Sequence, residues 1–158
     1  MNPMTFVVTI DDIMVNELQA VVDELGGEAV LGGTVRSAHD MMDAIRRGFH
    51  RDALGSVAAA AGMSIKDLAT CVDLSYRTIQ RLKPDQRLGV SESDRLYRLM
   101  RIAVLANDSI GDHEKASRWL QRPNKALGGD KPIELLDTEL GARMVEEVLG
   151  RIAYGGVS

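Results

Sequence analysis

An all-α fold is the prediction for this 158-residue chain, and three observations carry it. Apolar residues recur at 3.6-residue spacing in nearly every segment; glycine or proline stops each pattern; serine or aspartate stands where the next one starts. The aromatic share is only 4% while methionines number 8, which favours an aliphatic helical core over a β-sandwich. With 45% apolar and 27% charged residues, the composition is that of a globular chain long enough to bury a core of its own.

The N-terminal "TFVVTI" reads as a short strand or a frayed lead-in. Next comes a helix capped by Asp11 or Asp12, on which Met14, Leu18, Val21, Val22 and Leu25 share a face before Gly26-Gly27 ends it. "VLGGTV", Val30 to Val35, reads as a loop or a second short strand. Ser37 then caps a helix that runs to Arg47 and stops at Gly48, and an alanine-rich helix from about Arg51 ends at Gly62. In "MSIKDLATCVDLSYRTIQRL", Ser64 and Asp67 form a capping box ahead of Ile65, Leu68, Ala69 and Val72. Asp73-Leu74-Ser75 breaks that helix, and Ser75 caps a short second one whose Ile79 and Leu82 face back. A small residue where the helices cross, Ala69, and an aliphatic pin, Ile79, complete the spacing of a helix-turn-helix. The turn position where glycine is usual holds Asp73, so a purely structural helical hairpin is the alternative.

Beyond the hairpin, Ser91 and Ser93 cap a helix with Leu96, Leu99, Met100, Ala103 and Leu105 on one broad face. Asp112 caps the following helix, which ends at Trp119-Leu120 because Pro123 cannot continue it. Asn124 caps the single turn "KALG", and Gly128-Gly129 close it. The last helix carries Leu140, Met144, Val145, Val148, Leu149 and Ile152 as an apolar stripe and breaks at Tyr154-Gly155-Gly156.

A net charge of −4 gives no reason by itself to expect a nucleic-acid partner. Residues 1–76 carry 5 basic and 11 acidic side chains (−6), residues 77–101 carry 7 and 3 (+4), and residues 102–158 carry 7 and 9 (−2). The cations of the basic segment are Arg77, Arg81, Lys83, Arg87, Arg95, Arg98 and Arg101. An anionic polymer responds to clustering within a Debye length of about 10 Å, although a solvated helix face has the same composition. The outer face of the hairpin's second helix presents Ser75, Tyr76, Arg77, Thr78, Gln80 and Arg81, with Lys83 just beyond. These donors reach phosphates or base edges, and arginine and glutamine each pair bidentately with a base.

Catalysis and metal binding lack a residue set. His39, His50 and His113 are far apart and form no H-x-x-x-H or Cys/His pair. There is no G-x-S-x-G turn for a nucleophile, and the glycines at 128 and 129 precede no Lys-Ser/Thr, which argues against a phosphate-cradling loop. Glu146-Glu147 falls on the polar face of the last helix and reads as solvated. The single Cys71 has no internal partner and reads as a buried, unreactive thiol; Trp119, at helical spacing from Ala116, reads as a core anchor. No run approaches the roughly 18 apolar residues of a membrane span and the N-terminus lacks the basic region of a leader, so a cytoplasmic protein with no metal and no cofactor is expected.

Three stretches carry a further signal: "YRTIQRL", the following "RLGVSESDRLYRLMRIAVLA", and "WLQRPNKALGGDKPIELLDTELGARMVEEVLGRIAYG". Together they resemble the Xre/MbcA/ParS antitoxins, which pair with RES-domain toxins in type II toxin–antitoxin systems. The resemblance runs from about Ala38 to Gly155 and is most specific toward the C-terminus, where Trp, Pro-Asn, Gly-Gly, Pro and Tyr-Gly stand in fixed order. It implies an Xre/Cro-like DNA-binding portion and a C-terminal part that binds and silences a toxin that consumes NAD. It also makes the end of the chain, Arg151, Ile152, Tyr154, Gly155, Gly156, Val157 and Ser158, the expected toxin contact. A slim apolar residue followed by a free carboxylate suits a pocket with donors for a pyrophosphate; the plain alternative is a frayed end.

The expected organisation is an N-terminal segment for dimerisation (1–36), a helix-turn-helix portion (37–88) and a C-terminal toxin-binding bundle (89–158). The expected function is that of a non-enzymatic antitoxin that sterically neutralises a RES-domain toxin. As a homodimeric transcriptional repressor it would also bind its own operon, with recognition helices about 34 Å apart on a palindromic operator. The alternative is a free-standing Xre-like regulator whose C-terminal bundle senses a small molecule.

Overall fold

The computed structural model of the chain describes residues 10–155, with side chains from Val15 onward. Within them lie α1 (Ile10–Leu25), α2 (Glu28–Leu31), α3 (Ala38–Arg47), α4 (Ala53–Ala61), α5 (Ile65–Cys71), α6 (Tyr76–Gln80), α7 (Val90–Ile110), α8 (His113–Leu120) and α9 (Glu139–Gly155). Two 3-10 turns, Lys125–Leu127 and Pro132–Leu135, connect α8 to α9. No strand forms among the described residues, and a lone antiparallel bridge joins His50 to Arg87. The all-α prediction therefore holds. The lead-in "TFVVTI" lies outside the described residues except for Ile10, which opens α1, and the loop alternative for "VLGGTV" is the right one once Val30 and Leu31 close the single turn of α2.

Local chemistry sets most boundaries. Ser37, Ser64, Ser75 and Asp112 each accept a hydrogen bond from the backbone N–H three residues on, at Asp40, Asp67, Thr78 and Lys115. Each such cap satisfies one donor that the first helical turn leaves open and is worth about 1 kcal/mol. Two predicted caps are wrong. Asp11 and Asp12 lie inside the first turn of α1, and α7 starts from an extended Gly89 without a side-chain cap. Ser93, inside α7 and fully buried, bonds elsewhere, its hydroxyl accepting the N–H of buried Phe49 at 2.8 Å. A buried N–H without a partner costs roughly 1–3 kcal/mol, so the hydroxyl is drawn inward rather than to the helix end.

The long α7 forms the axis of the molecule. It packs against α1, α3, α4, α8 and α9, burying Leu96, Leu99, Met100, Ile102, Ala103 and Ala106. One continuous cluster runs from Val21 of α1 to Leu149 of α9, so the helix-turn-helix portion and the C-terminal bundle share a single core. At Gly48 the chain passes close to itself: a Cβ there would strike the Leu88 carbonyl, and its φ of 84° is a conformation glycine adopts without strain.

The last helix departs from its predicted stripe. Gly141, Ala142, Val145 and Leu149 face the core, Val148 is half-buried, and Leu140 (72% exposed), Met144 and Ile152 lie outside. The cause is a close approach at Gly141, where the Leu135 carbonyl of the preceding 3-10 turn occupies the place of a side chain and sets which face of α9 turns inward. Of the predicted break Tyr154-Gly155-Gly156, the first two residues are still helical and Gly156 lies outside the described residues.

Candidate functional site

The hairpin of α5 and α6 is built as predicted, with Asp73 substituting for glycine at the turn. It is the one non-glycine residue with positive φ (57°) among the described residues, a conformation that aspartate tolerates better than most. Leu74 follows it, with its N–H bonded to the Ala69 carbonyl at 2.9 Å, and Leu74, Ile79 and Leu82 pack half-buried against the core. Arg51, just before α4, donates to the Leu82 carbonyl at 2.7 Å and ties down the segment that follows α6.

Everything else on α6 faces outward; none of its five residues is fully buried. Ser75, Tyr76, Arg77, Thr78, Gln80, Arg81 and Lys83 are all exposed. Ser75 and Thr78 share a hydroxyl–hydroxyl bond of 2.7 Å besides the cap, so their oxygens are partly committed to the helix start. The side chains of Arg77, Gln80, Arg81 and Lys83 make no hydrogen bond or ion pair with the described residues. They are a set of free donors on a short, firmly seated helix.

Three of the other four cations of the basic segment, Arg87, Arg98 and Arg101, do other work. Arg87 donates to the Gly48 carbonyl at 2.8 Å and its guanidinium lies against Gly32. Arg98, with its side chain only 11% exposed, bridges Asp94 (2.8 Å), Glu139 (3.3 Å) and the Leu136 carbonyl (3.1 Å). Arg101 pairs with Glu139 and Glu146, each at 3.0 Å, so Glu146 is not a solvated surface charge as the sequence suggested. Partial burial pushes the Glu139 carboxyl up, but the hydrogen bonds and charges of Arg101 and Arg98 outweigh it and hold the group below its ordinary range. Desolvation works against the Arg101 guanidinium, and Glu146 and Glu139 more than compensate, raising it further.

On the C-terminal side, Asn124 accepts the Ala126 N–H at 2.9 Å and Gly128, left-handed, closes the turn as expected. Trp119 is a half-buried anchor that packs on the core and also shows one edge in a cleft with Ile110, Pro123 and Ile152. The sequence reading missed that cleft, although Lys115, Arg118 and Arg122 at helical spacing around a tryptophan signal it. At the end of α9, Arg151 pairs with Glu147 at 2.9 Å on an exposed surface, Ile152 is 38% exposed and Tyr154 is 95% exposed. Gly155 is the last described residue of α9, and Gly156, Val157 and Ser158 lie outside the described residues.

Cys71 is half-buried rather than enclosed; burial, with Asp67 and Glu134 nearby, pushes its thiol up and away from the reactive thiolate. Among the described residues no group of His, Cys, Asp and Glu is arranged to hold a metal ion, and no helix is long and apolar enough to cross a membrane.

Fold and surfaces together define a helix-turn-helix protein joined through one core to a C-terminal interaction module. A family model described as the antitoxin Xre-like helix-turn-helix domain matches residues 40–101. A second, described as the antitoxin Xre/MbcA/ParS C-terminal toxin-binding domain, matches residues 105–155, and α7 spans the join. The chain is 32% identical over 117 residues to Antitoxin Xre of Yersinia enterocolitica, covering 73% of this chain and 79% of that one. It is 42% identical over 83 residues to Antitoxin Xre of Pseudomonas putida, where the match spans about half of each chain (52%). A Sphingobium protein named Prs ADP-ribosylating antitoxin is 28% identical over 126 residues, covering 73% of this chain and 79% of that one. The chain belongs to the Xre/MbcA/ParS antitoxin family, and the two matched models describe a helix-turn-helix domain and a toxin-binding domain rather than an enzyme.

Proposed function

We propose that the chain neutralises a RES-domain, NAD-consuming toxin by steric contact through its C-terminal domain and represses its own operon through α6, acting in the cytoplasm as a homodimer. The observation that carries the DNA half is the free donor set of Arg77, Gln80, Arg81 and Lys83 on a helix whose inner side is anchored by Leu74, Ile79 and Leu82. In this reading Arg77, Gln80 and Arg81 face base edges, while Ser75, Tyr76, Thr78 and Lys83 reach phosphates and fix the register. The segment 1–36 supplies the dimer contact, residues 37–88 the DNA-reading portion, and residues 89–158 the toxin-binding portion. Two copies of α6 about 34 Å apart then read a palindrome. The toxin half rests on the matched C-terminal domain and on the exposed end of α9, where Arg151, Ile152, Tyr154 and Gly155, followed by Gly156, Val157 and Ser158, contact the entrance of the toxin's active site. Blocking an entrance requires no catalytic group on this chain.

The test is co-expression with the protein encoded by the adjacent gene. The proposal expects a stable complex, preserved cellular NAD, and specific retardation of DNA from the shared promoter by the purified chain. Absence of a complex together with unchecked NAD loss would overturn the toxin half, and binding to promoter DNA no tighter than to random DNA would overturn the other.

A further inference from the structure

The open cleft of about 480 Å³ beside Trp119 has a construction that the fold does not require. Its floor is apolar, made by Ile110, Trp119, Pro123 and Ile152, and Lys115, Arg118 and Arg122 stand around it. On α8 the positions 115, 118 and 122 follow at three- and four-residue steps, so one side of the helix and the turn after it present all three, while Ala116 and Leu120 enter the core. Like charges at such spacing repel, and a helix face meant only for solvent relieves this with interspersed carboxylates. Glu114 stands one turn before Arg118 and lines a neighbouring hollow with it and Arg122, yet none of the three cations forms an ion pair with the described residues. They lie in residues 102–158, which carry a net −2, so the concentration of positive charge is local to the cleft.

The floor argues for a protein as the occupant. Phosphate-binding surfaces are polar and wet, whereas tryptophan and arginine around an apolar hollow are the residues that dominate protein–protein contacts. Ile152 belongs both to the cleft and to the exposed end of α9, so the cleft is continuous with the surface that carries Arg151 and Tyr154.

We infer that this cleft seats an apolar side chain of the toxin flanked by carboxylates, with Lys115, Arg118 and Arg122 as the complementary charges. The inference rests on the toxin-binding reading above and adds a second anchor to it, adjoining the end of α9. Desolvated apolar contact provides the grip, and the cationic ring speeds encounter and makes the complex sensitive to salt.

The experiment titrates the full chain and its R118E/R122E variant with the protein encoded by the adjacent gene, at low and high salt. Both arginines are exposed, so the variant keeps the core. It is expected to bind at least ~10-fold more weakly at low salt and to lose most of the salt dependence seen with the unaltered chain, at an unchanged thermal midpoint and unchanged promoter-DNA affinity. Equal toxin affinity of the two chains overturns the cleft assignment and leaves the toxin-binding reading intact. Loss of DNA affinity with toxin affinity kept also overturns it, by making the cations phosphate contacts. If the unaltered chain forms no complex, the toxin-binding reading itself fails and the cleft assignment with it.

Discussion

Arg81 and Arg98 belong to the same basic run of sequence, yet Arg81 is exposed with no side-chain partner among the described residues while Arg98 is held between Asp94, Glu139 and the Leu136 carbonyl. The contrast extends to their helices. α6 is five residues long with no residue fully buried, whereas α7 is 21 residues long and sits at the centre of the core. The positive charge of a segment becomes a binding surface only after the fold has taken the cations it needs. Arg87, Arg98 and Arg101 serve the fold; the side chains of Arg77, Arg81 and Lys83 stay exposed and make no hydrogen bond or ion pair with the described residues.

Removing a cation from each side puts this division under the most strain. Arg98→Ala should destabilise the chain by about 2–3 kcal/mol, because it strips the Leu136 carbonyl and Glu139 of their donor in a mostly buried place. Chemical denaturation measures that loss, and operator affinity per folded molecule should stay the same. Arg81→Ala should do the reverse: stability within about 0.5 kcal/mol of the parent, and operator binding weaker by about 1–3 kcal/mol. Arg87→Ala separates the two roles a cation of this segment can take. By charge alone Arg87 is a candidate phosphate contact, but its bond to the Gly48 carbonyl predicts a loss of about 1 kcal/mol in stability and no change in the salt slope of DNA binding.

Smaller effects are expected at the chain's end. Gly155 is exposed and the core cluster ends at Leu149, so deleting Gly155 to Ser158 should leave the thermal midpoint and DNA binding nearly unchanged while toxin neutralisation falls. Full protection of cells by the truncated chain would reduce the tail to a frayed end. The smallest effect is with pH. Glu139 has a folded-state pKa below its unfolded value, so its contribution is present at neutral pH and is lost as pH falls through the folded value, below the ordinary carboxylate range of roughly 4. The gap in thermal midpoint between the parent and E139Q should therefore be widest near pH 7 and close at acid pH.

What the sequence made legible was local. Ser37, Ser64, Ser75, Asp112 and Asn124 cap as expected because a cap reaches only two or three residues along the chain. The hairpin was legible for the same reason, down to the unusual turn at Asp73. Ser93 was misread because its partner, Phe49, lies 44 positions away. Glu146 and Arg98 were misread because the α7–α9 contact pairs residues about 40 apart, and periodicity cannot tell a charged residue that bridges two helices from one that faces water. Leu140 and Met144 fit the apolar stripe of α9 by spacing, but the approach of the Leu135 carbonyl to Gly141 decides which side turns inward. The same limit hid the Trp119 cleft, whose floor draws residues from α7, α8, the following turn and α9.

The division between a free cation set and a structural one is tested most directly by the R77A/R81A double variant, titrated against operator DNA over a range of salt and, in parallel, against the toxin. Operator affinity should fall at least ~10-fold, while toxin affinity and thermal midpoint match the unaltered chain. Unchanged operator affinity in a folded double variant would contradict the assignment of α6 as the DNA-reading helix.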